Sequence, residues 1–144
     1  MLVGEILRIK GTVLYTTTPD SLVLDAVRVM VQLDIGSLVV MDHGRMTGIV
    51  TFAEVLKALA DRGGVLGDLR ISNIVERDPP TATPGTEVME LRRMMLERHA
   101  RYVPVMDGAT LLGVISFHDV AKAVFEDQSF ENRMLKSYIS DDHT

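Results

Sequence analysis

The sequence contains no cysteine and no tryptophan. Without thiols there is no disulfide framework, no thiol nucleophile and no Cys-ligated zinc. Aromatic residues are scarce, at 5% of the chain, so a core has to be assembled from Val, Leu, Ile, Ala and the nine Met. Positive charge is also short: 15 Lys and Arg stand against 20 Asp and Glu, leaving a formal net charge of -5. Nucleic-acid surfaces need clustered Lys and Arg to neutralise phosphates, so no nucleic-acid partner is expected, although one small basic pocket is compatible with the total. No apolar run approaches the roughly 18 residues that a membrane helix needs. The opening stretch "MLVGEILRIK" lacks the basic lead and long apolar segment of a signal peptide. These absences predict a soluble, cytoplasmic chain with no membrane partner.

What is present is repetition. The chain has 144 residues, 47% of them hydrophobic, enough for one domain or for two small halves that depend on each other. Shifting the sequence by 65 positions lays "TPDSLVLDAVRVM", from Thr18, on "TPGTEVMELRRMM", from Thr83. The same shift lays "GIVTFAEVLKA", from Gly48, on "GVISFHDVAKA", from Gly113. Thr18 to Leu59 aligns without a gap, and 13 of 42 pairs are identical. Upstream, "VGEIL" (Val3 to Leu7) matches "ISNIV" (Ile71 to Val75) at a shift of 68, which leaves three extra residues in the first copy around Arg8 to Leu14. Such self-similarity marks a duplicated structural unit.

Each copy reads as helix, strand, strand, helix. Leu22, Val23, Ala26, Val27, Met30 and Leu33 recur near a 3.6-residue period and predict a helix over Asp20 to Leu33. "SLVVM" and "MTGIV" read as paired strands around "DHG", and Asp107-Gly108 marks the matching hairpin in the second copy. Thr51-x-x-Glu54 and Ser116-x-x-Asp119 are spaced as capping boxes, in which the hydroxyl and the carboxylate each satisfy a backbone N–H at a helix start. Three glycines in "DRGGVLGD" suit a linker. One copy of about sixty residues has too little core to stand comfortably alone, so the two are expected to bury their sheets together. The boundaries are residues 1–62 and 69–125 for the copies, 63–68 for the linker, and 126–144 for a C-terminal helix and tail.

The Thr-Pro segment, the helix, "YVPVMD" and the element G-apolar-apolar-[ST]-x-x-[DE], in this order and written twice, resemble a tandem pair of CBS domains, or Bateman module. The likeness runs from about Val3 to Val124 and is similar to stand-alone bacterial two-CBS proteins assigned to signal transduction. It implies an α+β fold of two small sheets, each packed with two helices, related by a pseudo-twofold axis. It implies no attached catalytic, transporter or DNA-binding domain, no catalytic cofactor, and a homodimer formed through the helices. The implied ligand is an adenosine compound held between the copies: AMP, ADP or ATP, with NAD or S-adenosylmethionine as further candidates. The acidic residue of [ST]-x-x-[DE] would then take the ribose hydroxyls. That places Asp119 and Ser116 in one cleft, Glu54 and Thr51 in the other. His118 would stand at the rim, and Arg101, whose first-copy counterpart is Gly36, would meet phosphate. The adenine would be bordered by the segments Thr16 to Thr18 and Thr81, Ala82 and Thr83, against a wall of Ile71, Ile74, Val103 and Pro104.

The residue types suit that task on their own chemistry. An ionised carboxylate offers two accepting oxygens to two adjacent ribose hydroxyls. Each hydrogen bond to a charged group contributes about 1.5–3 kcal/mol. Helix N-termini at Thr51 and Ser116 favour phosphate through unpaired N–H groups, and Arg101 adds a forked, permanently charged donor. Capping alone also accounts for both Ser116-Asp119 and Thr51-Glu54, and Arg101 beside Arg92, Arg93 and Arg98 also reads as a solvated helix end. Gly36 opposite Arg101 predicts unequal sites. His99 and His118 have no metal-ligand partner at a recognisable spacing. Phe130, Met134, Leu135, Tyr138 and Ile139 fall at helical intervals and predict a C-terminal helix, either packed on its own module or forming the dimer contact. The leading expectation is a nucleotide-binding regulatory module acting on an unidentified downstream protein. A ligand-free interaction scaffold is the alternative. Catalysis is disfavoured, since there is no P-loop, metal cluster or nucleophile constellation.

Overall fold

Alternating and 3.6-period apolar residues condense into two similar α+β units. The computed structural model describes residues 1–11, 13–127 and 135. The first unit contains β1 (Thr16–Thr17), α2 (Val23–Leu33), β2 (Ser37–Asp42), β3 (Arg45–Thr51) and α3 (Phe52–Asp61). The second contains α5 (Val88–Arg98), β5 (Tyr102–Asp107), β6 (Thr110–Ser116) and α6 over residues 117–127. Preceding them are α1 (Val3–Lys10) and, between the units, α4 (Ile71–Ile74) with β4 (Glu76–Arg77). No helix among the described residues is long and apolar enough to cross a membrane.

The repeat is visible in the register. Strand β2 pairs antiparallel with β3 and slips at Val40/Met41; β5 pairs with β6 and slips at Val105/Met106. Thr17 lies beside Val40 in a parallel pair, and Ala82 makes the equivalent bridge to Val105. The turns differ in chemistry. His43 and Gly44 are both at positive φ between β2 and β3, whereas Gly108 opens the two-residue loop between Asp107 and Thr110. The hairpin therefore sits one residue later than Asp107-Gly108.

Helix α2 begins at Val23, three residues after Asp20. Leu22 is extended and bridges Arg70, and Thr18 Oγ1 lies 2.8 Å from Ser21 Oγ across the preceding turn. The missing side-chain cap is replaced by the other unit: Val23 N donates to Leu69 O at 2.8 Å. The second copy repeats the arrangement, with Val88 N donating to Met1 O at 3.0 Å and Leu2 bridging Glu87.

These bonds belong to a reciprocal exchange. The segment before each repeat crosses to the other: Val3 N donates to Thr86 O and Ile71 N donates to Ser21 O, each at 2.9 Å. Accordingly Val3 and Ile6 complete the core of Val88, Leu91, Met95, Val103, Val105 and Ile115. Ile71 joins Val23, Ala26, Met30, Leu38, Val40 and Val50. The exchange answers the shortage of core in one copy, because each unit borrows a buried helix face from the other.

The three extra residues break the symmetry. In the second copy the chain leaves the helix at Val75, and Glu76–Arg77 extends the first sheet to the order β1-β2-β3-β4. In the first copy α1 continues for another turn, to Lys10, and lies over β6 where a strand would lie. The C-terminal pattern of Phe130, Met134, Tyr138 and Ile139 lies outside the described residues; Leu135 is helical and exposed, as is Phe125 on α6.

Candidate functional site

Both [ST]-x-x-[DE] elements form capping boxes. Ser116 N donates to Asp119 Oδ2 at 2.9 Å, and Asp119 N donates to Ser116 Oγ at 3.0 Å. Thr51 N donates to Glu54 Oε1 at 2.8 Å, and Thr51 Oγ1 accepts from Ala53 N at 3.1 Å. Each box brings a hydroxyl and a carboxylate to the strand-to-helix corner, beside a cleft between the units.

The first cleft, about 450 Å³, runs from Lys10 and Val13 to Tyr15 past Asp34 to Ser37 and on to Arg101, Tyr102 and Ser116 to His118. The second, about 480 Å³, is lined by Thr51 to Glu54, Glu76, Pro80, His99 to Tyr102 and Phe117. Both volumes fall within the roughly 300–1,000 Å³ of small-molecule sites. Most lining positions correspond under the repeat: Pro80 to Tyr15, His99 to Asp34, Arg101 to Gly36, and Phe52 to Phe117.

Between the clefts lies an aromatic and cationic partition. Phe52 and Tyr102 meet edge to face at 6.1 Å, and Arg101 Cζ sits 5.3 Å above the Phe52 ring. Burial holds the Tyr102 phenol above its ordinary value, with Arg101 opposing and Asp119 adding to the shift. Tyr102 reaches here because Gly36 has no side chain; a Cβ at Gly36 would fall on the Tyr102 hydroxyl. Arg101 is exposed, lines both clefts and forms no ion pair among the described residues.

The two carboxylates differ. Lys10 Nζ lies 2.7 Å from Asp119 Oδ2 and donates to Val114 O at 2.8 Å, so Lys10 forms the cleft wall beside Ser116 with Asp119 behind it. Burial raises the Asp119 pKa, but hydrogen bonds from Lys10 and Ser116 and the Lys10 charge outweigh it, and the net shift is downward. Glu54 shifts upward, because burial outweighs the Thr51 hydrogen bonds and nearby Glu76 adds to the rise.

These directions set opposite pH dependences. Asp119 contributes stability that is present at neutral pH and lost as pH falls through its depressed folded pKa. Glu54 favours its neutral form in the fold, so its relative stability is greatest in acid and lost as pH rises through its raised folded pKa. Asp119→Asn keeps a capping acceptor and is expected to lower stability at neutral pH by about 0.5–1 kcal/mol, the range for a partly exposed ion pair. Glu54→Gln, also a competent cap, is expected to raise stability at neutral pH and to lose that advantage in acid. Thermal melts of both variants from pH 3 to 8 measure this; a stabilised Asp119→Asn at pH 7 contradicts it.

Several expected site residues lie elsewhere. Ile71 and Val103 are corrected from cleft wall to core: both are fully buried, in different cores, because the crossing segment inserts Ile71 and β5 turns Val103 inward. Pro104 is buried and Ile74 packs on the first core, and neither lines a cleft. Ala82 is buried and lines neither cleft; its N–H donates to Pro104 O and its carbonyl accepts from Met106 N. Thr16 pairs with β2, Thr18 closes a turn with Ser21, and Thr83 does so with Thr86. Thr81 is exposed outside the lining. The residues of these segments that line the clefts lie a few positions upstream: Val13, Leu14 and Tyr15 in one and Pro80 in the other. Sequence reasoning missed Lys10, Tyr15, Phe52, Glu76 and Tyr102. For Lys10 a signal existed: it lies in the three-residue interruption of the repeat.

No group of three or more metal-ligating side chains occurs among the described residues. The CBS domain profile matches residues 3–61 and 71–126. The mitochondrial CBS domain-containing protein CBSX3 of Arabidopsis thaliana is 31% identical over 134 residues, covering 90% of this chain; the chain spans 65% of that relative's length. A protein with CBS domains from Burkholderia ambifaria superposes with a TM-score of 0.83 at 30% identity, covering 89% of this chain and 96% of that one. A CBS-domain protein from Agrobacterium tumefaciens gives 0.82 at 29% identity, covering 85% and 98%. At lower identity the same fold is shared with CBSX2 in complex with AMP (21%, TM-score 0.73, covering 88% and 98%). It is also shared with the CBS domain pair of protein MJ0100 in complex with 5-methylthioadenosine and S-adenosylmethionine (24%, TM-score 0.78, covering 88% and 98%).

Proposed function

Because the chain belongs to the CBS domain family and carries two copies in tandem, we propose that it is a regulatory module that binds an adenosine nucleotide between its copies. AMP, ADP and ATP are the leading ligands, with NAD and S-adenosylmethionine behind them, and the bound state is passed to a partner protein or across a homodimer. The observation that carries this reading is the first cleft: a cavity of about 450 Å³ lined by Lys10, Arg101, Ser116 and His118. Two cations and a helix N-terminus beside a half-buried carboxylate match a phosphate and a ribose. Proteins of this fold in complex with AMP and with S-adenosylmethionine support an adenosine ligand.

The proposed role is binding, not turnover. Exposed Leu24, Val31, Leu56, Met89 and Leu96 on the helices support association with a second copy. A scaffold without ligand is the second reading; it has no use for Lys10, Arg101 and Asp119 converging beside one cleft.

Thermal unfolding with each of the five compounds tests the proposal. A ligand at 100 times its Kd raises stability by about 2.7 kcal/mol. Asp119→Ala, which removes the ribose acceptor, is expected to reduce that shift by at least half at the same ligand concentration. A flat response of the wild type to all five compounds overturns nucleotide binding and leaves the scaffold.

A further inference from the structure

The repeat makes the two clefts comparable point by point, and at one point their charge is reversed. Glu76 pairs with Ile49 on β3 and lines the second cleft. The repeat counterpart of Ile49 is Val114, whose carbonyl accepts from Lys10 Nζ at 2.8 Å, and Lys10 lines the first cleft. A cation and an anion therefore stand beside equivalent strand positions, each next to its own [ST]-x-x-[DE] corner. Arg101 faces both clefts and does not distinguish them.

We propose that Lys10 and Glu76 sort ligands by charge: the first cleft takes the phosphate-bearing adenosine compound, and the second takes an adenosine compound without phosphate. This rests on the nucleotide reading above and adds which cleft accepts which charge. Lys10 is held by Asp119 at 2.7 Å. When ribose hydroxyls replace it there, its four-carbon stem lets the ammonium turn to the phosphate, and neither charge is left unpaired. In the second cleft a phosphate would meet the partly buried Glu54 and the exposed Glu76 together, and two carboxylates repel it where the first cleft offers a cation. The upward shift of Glu54, to which Glu76 contributes, is consistent with that repulsion. Asp34 in the first cleft and His99 in the second, also counterparts, differ in the opposite direction. Lys10 alone of the four bonds directly to a [ST]-x-x-[DE] corner among the described residues, so we take the reversal at Lys10 and Glu76 to govern the phosphate.

Titration calorimetry of the full chain with AMP and with adenosine tests the sorting. Wild type is expected to bind one AMP per chain. Glu76→Lys is expected to add a second AMP site, or to tighten a weak one by about tenfold, the value of one charge-assisted hydrogen bond. Lys10→Met is expected to weaken AMP by about tenfold while adenosine affinity holds or improves, because Asp119 loses a competitor. Both side chains are exposed, and a single cooperative melt without ligand establishes that each variant folds, with Lys10→Met lower by no more than the value of its ion pair to Asp119. If wild type binds AMP but neither substitution changes its stoichiometry or affinity, the sorting fails and nucleotide binding stands. If wild type binds neither compound, both fail together.

Discussion

Replacing Ile71 by Ala is expected to destabilise the protein by about 2–5 kcal/mol and to lower its melting temperature by on the order of 10 °C. The residue belongs by sequence to the second repeat, yet it is fully buried in the first core, against Val23, Ala26, Leu38 and Val50. Truncation leaves a cavity that the surrounding β2, β3 and α2 cannot fill, because Ile71 is held from behind by its N–H bond to Ser21 O. The loss is expected as one cooperative transition, since unfolding the first core withdraws the segment that follows it. Urea unfolding followed by circular dichroism measures both quantities. A cost under 1 kcal/mol, or two separate transitions, would show that the crossing segment is an accessory and not part of the core.

Gly48→Ala is the second large effect, and its repeat counterpart provides the control. A Cβ at Gly48 would fall on the carbonyl oxygen of Glu76 and against Val75 Cγ2. The obstacle is the backbone of β4, fixed by its pairing to Gly48 and Ile49, so the strand must move away and draw Glu76 from the second cleft. The expected cost is at or above the top of the usual range of about 1–3 kcal/mol for overpacking. At Gly113 the same Cβ would meet only the Cδ2 tip of Leu7, at 2.7 Å. A leucine tip can change rotamer, so Gly113→Ala is expected to cost about 1 kcal/mol. Melting temperatures of the two variants decide the order; an equal or larger loss at Gly113 contradicts the account. The same pair probes the clefts, because only Gly48→Ala is expected to disturb ligand binding beside Glu54.

Much of this was legible because the repeat is a strong signal. The paired strands, the helices after Thr51 and Ser116, and the asymmetry between Arg101 and Gly36 follow from local pattern and from self-alignment. The carboxylate and hydroxyl pairs were legible for a further reason: three-residue spacing at a helix start dictates their mutual geometry wherever the helix goes. Val103 and Ala82 were misplaced because an apolar residue in a short extended segment has no periodicity to reveal which side it presents, and Ile71 because its four-residue helix is too short to show one. Their fate depends on which strand lies alongside. Lys10 was missed because its partners, Val114 and Asp119, are over a hundred residues away in sequence.

By itself the sequence determined two copies of one α+β unit and the caps that position Ser116 with Asp119 and Thr51 with Glu54. Those features arise from short-range hydrogen bonding and side-chain periodicity, which neighbouring residues dictate. Only the tertiary structure decided that the leading segments change places, that Tyr102 and Arg101 partition the clefts, and that Lys10 and Glu76 occupy equivalent points with opposite charge. Three extra residues are enough to carry α1 on as a helix where the second copy turns into a strand. Which charge that brings to the cleft is settled by long-range packing, not by any local preference of the chain.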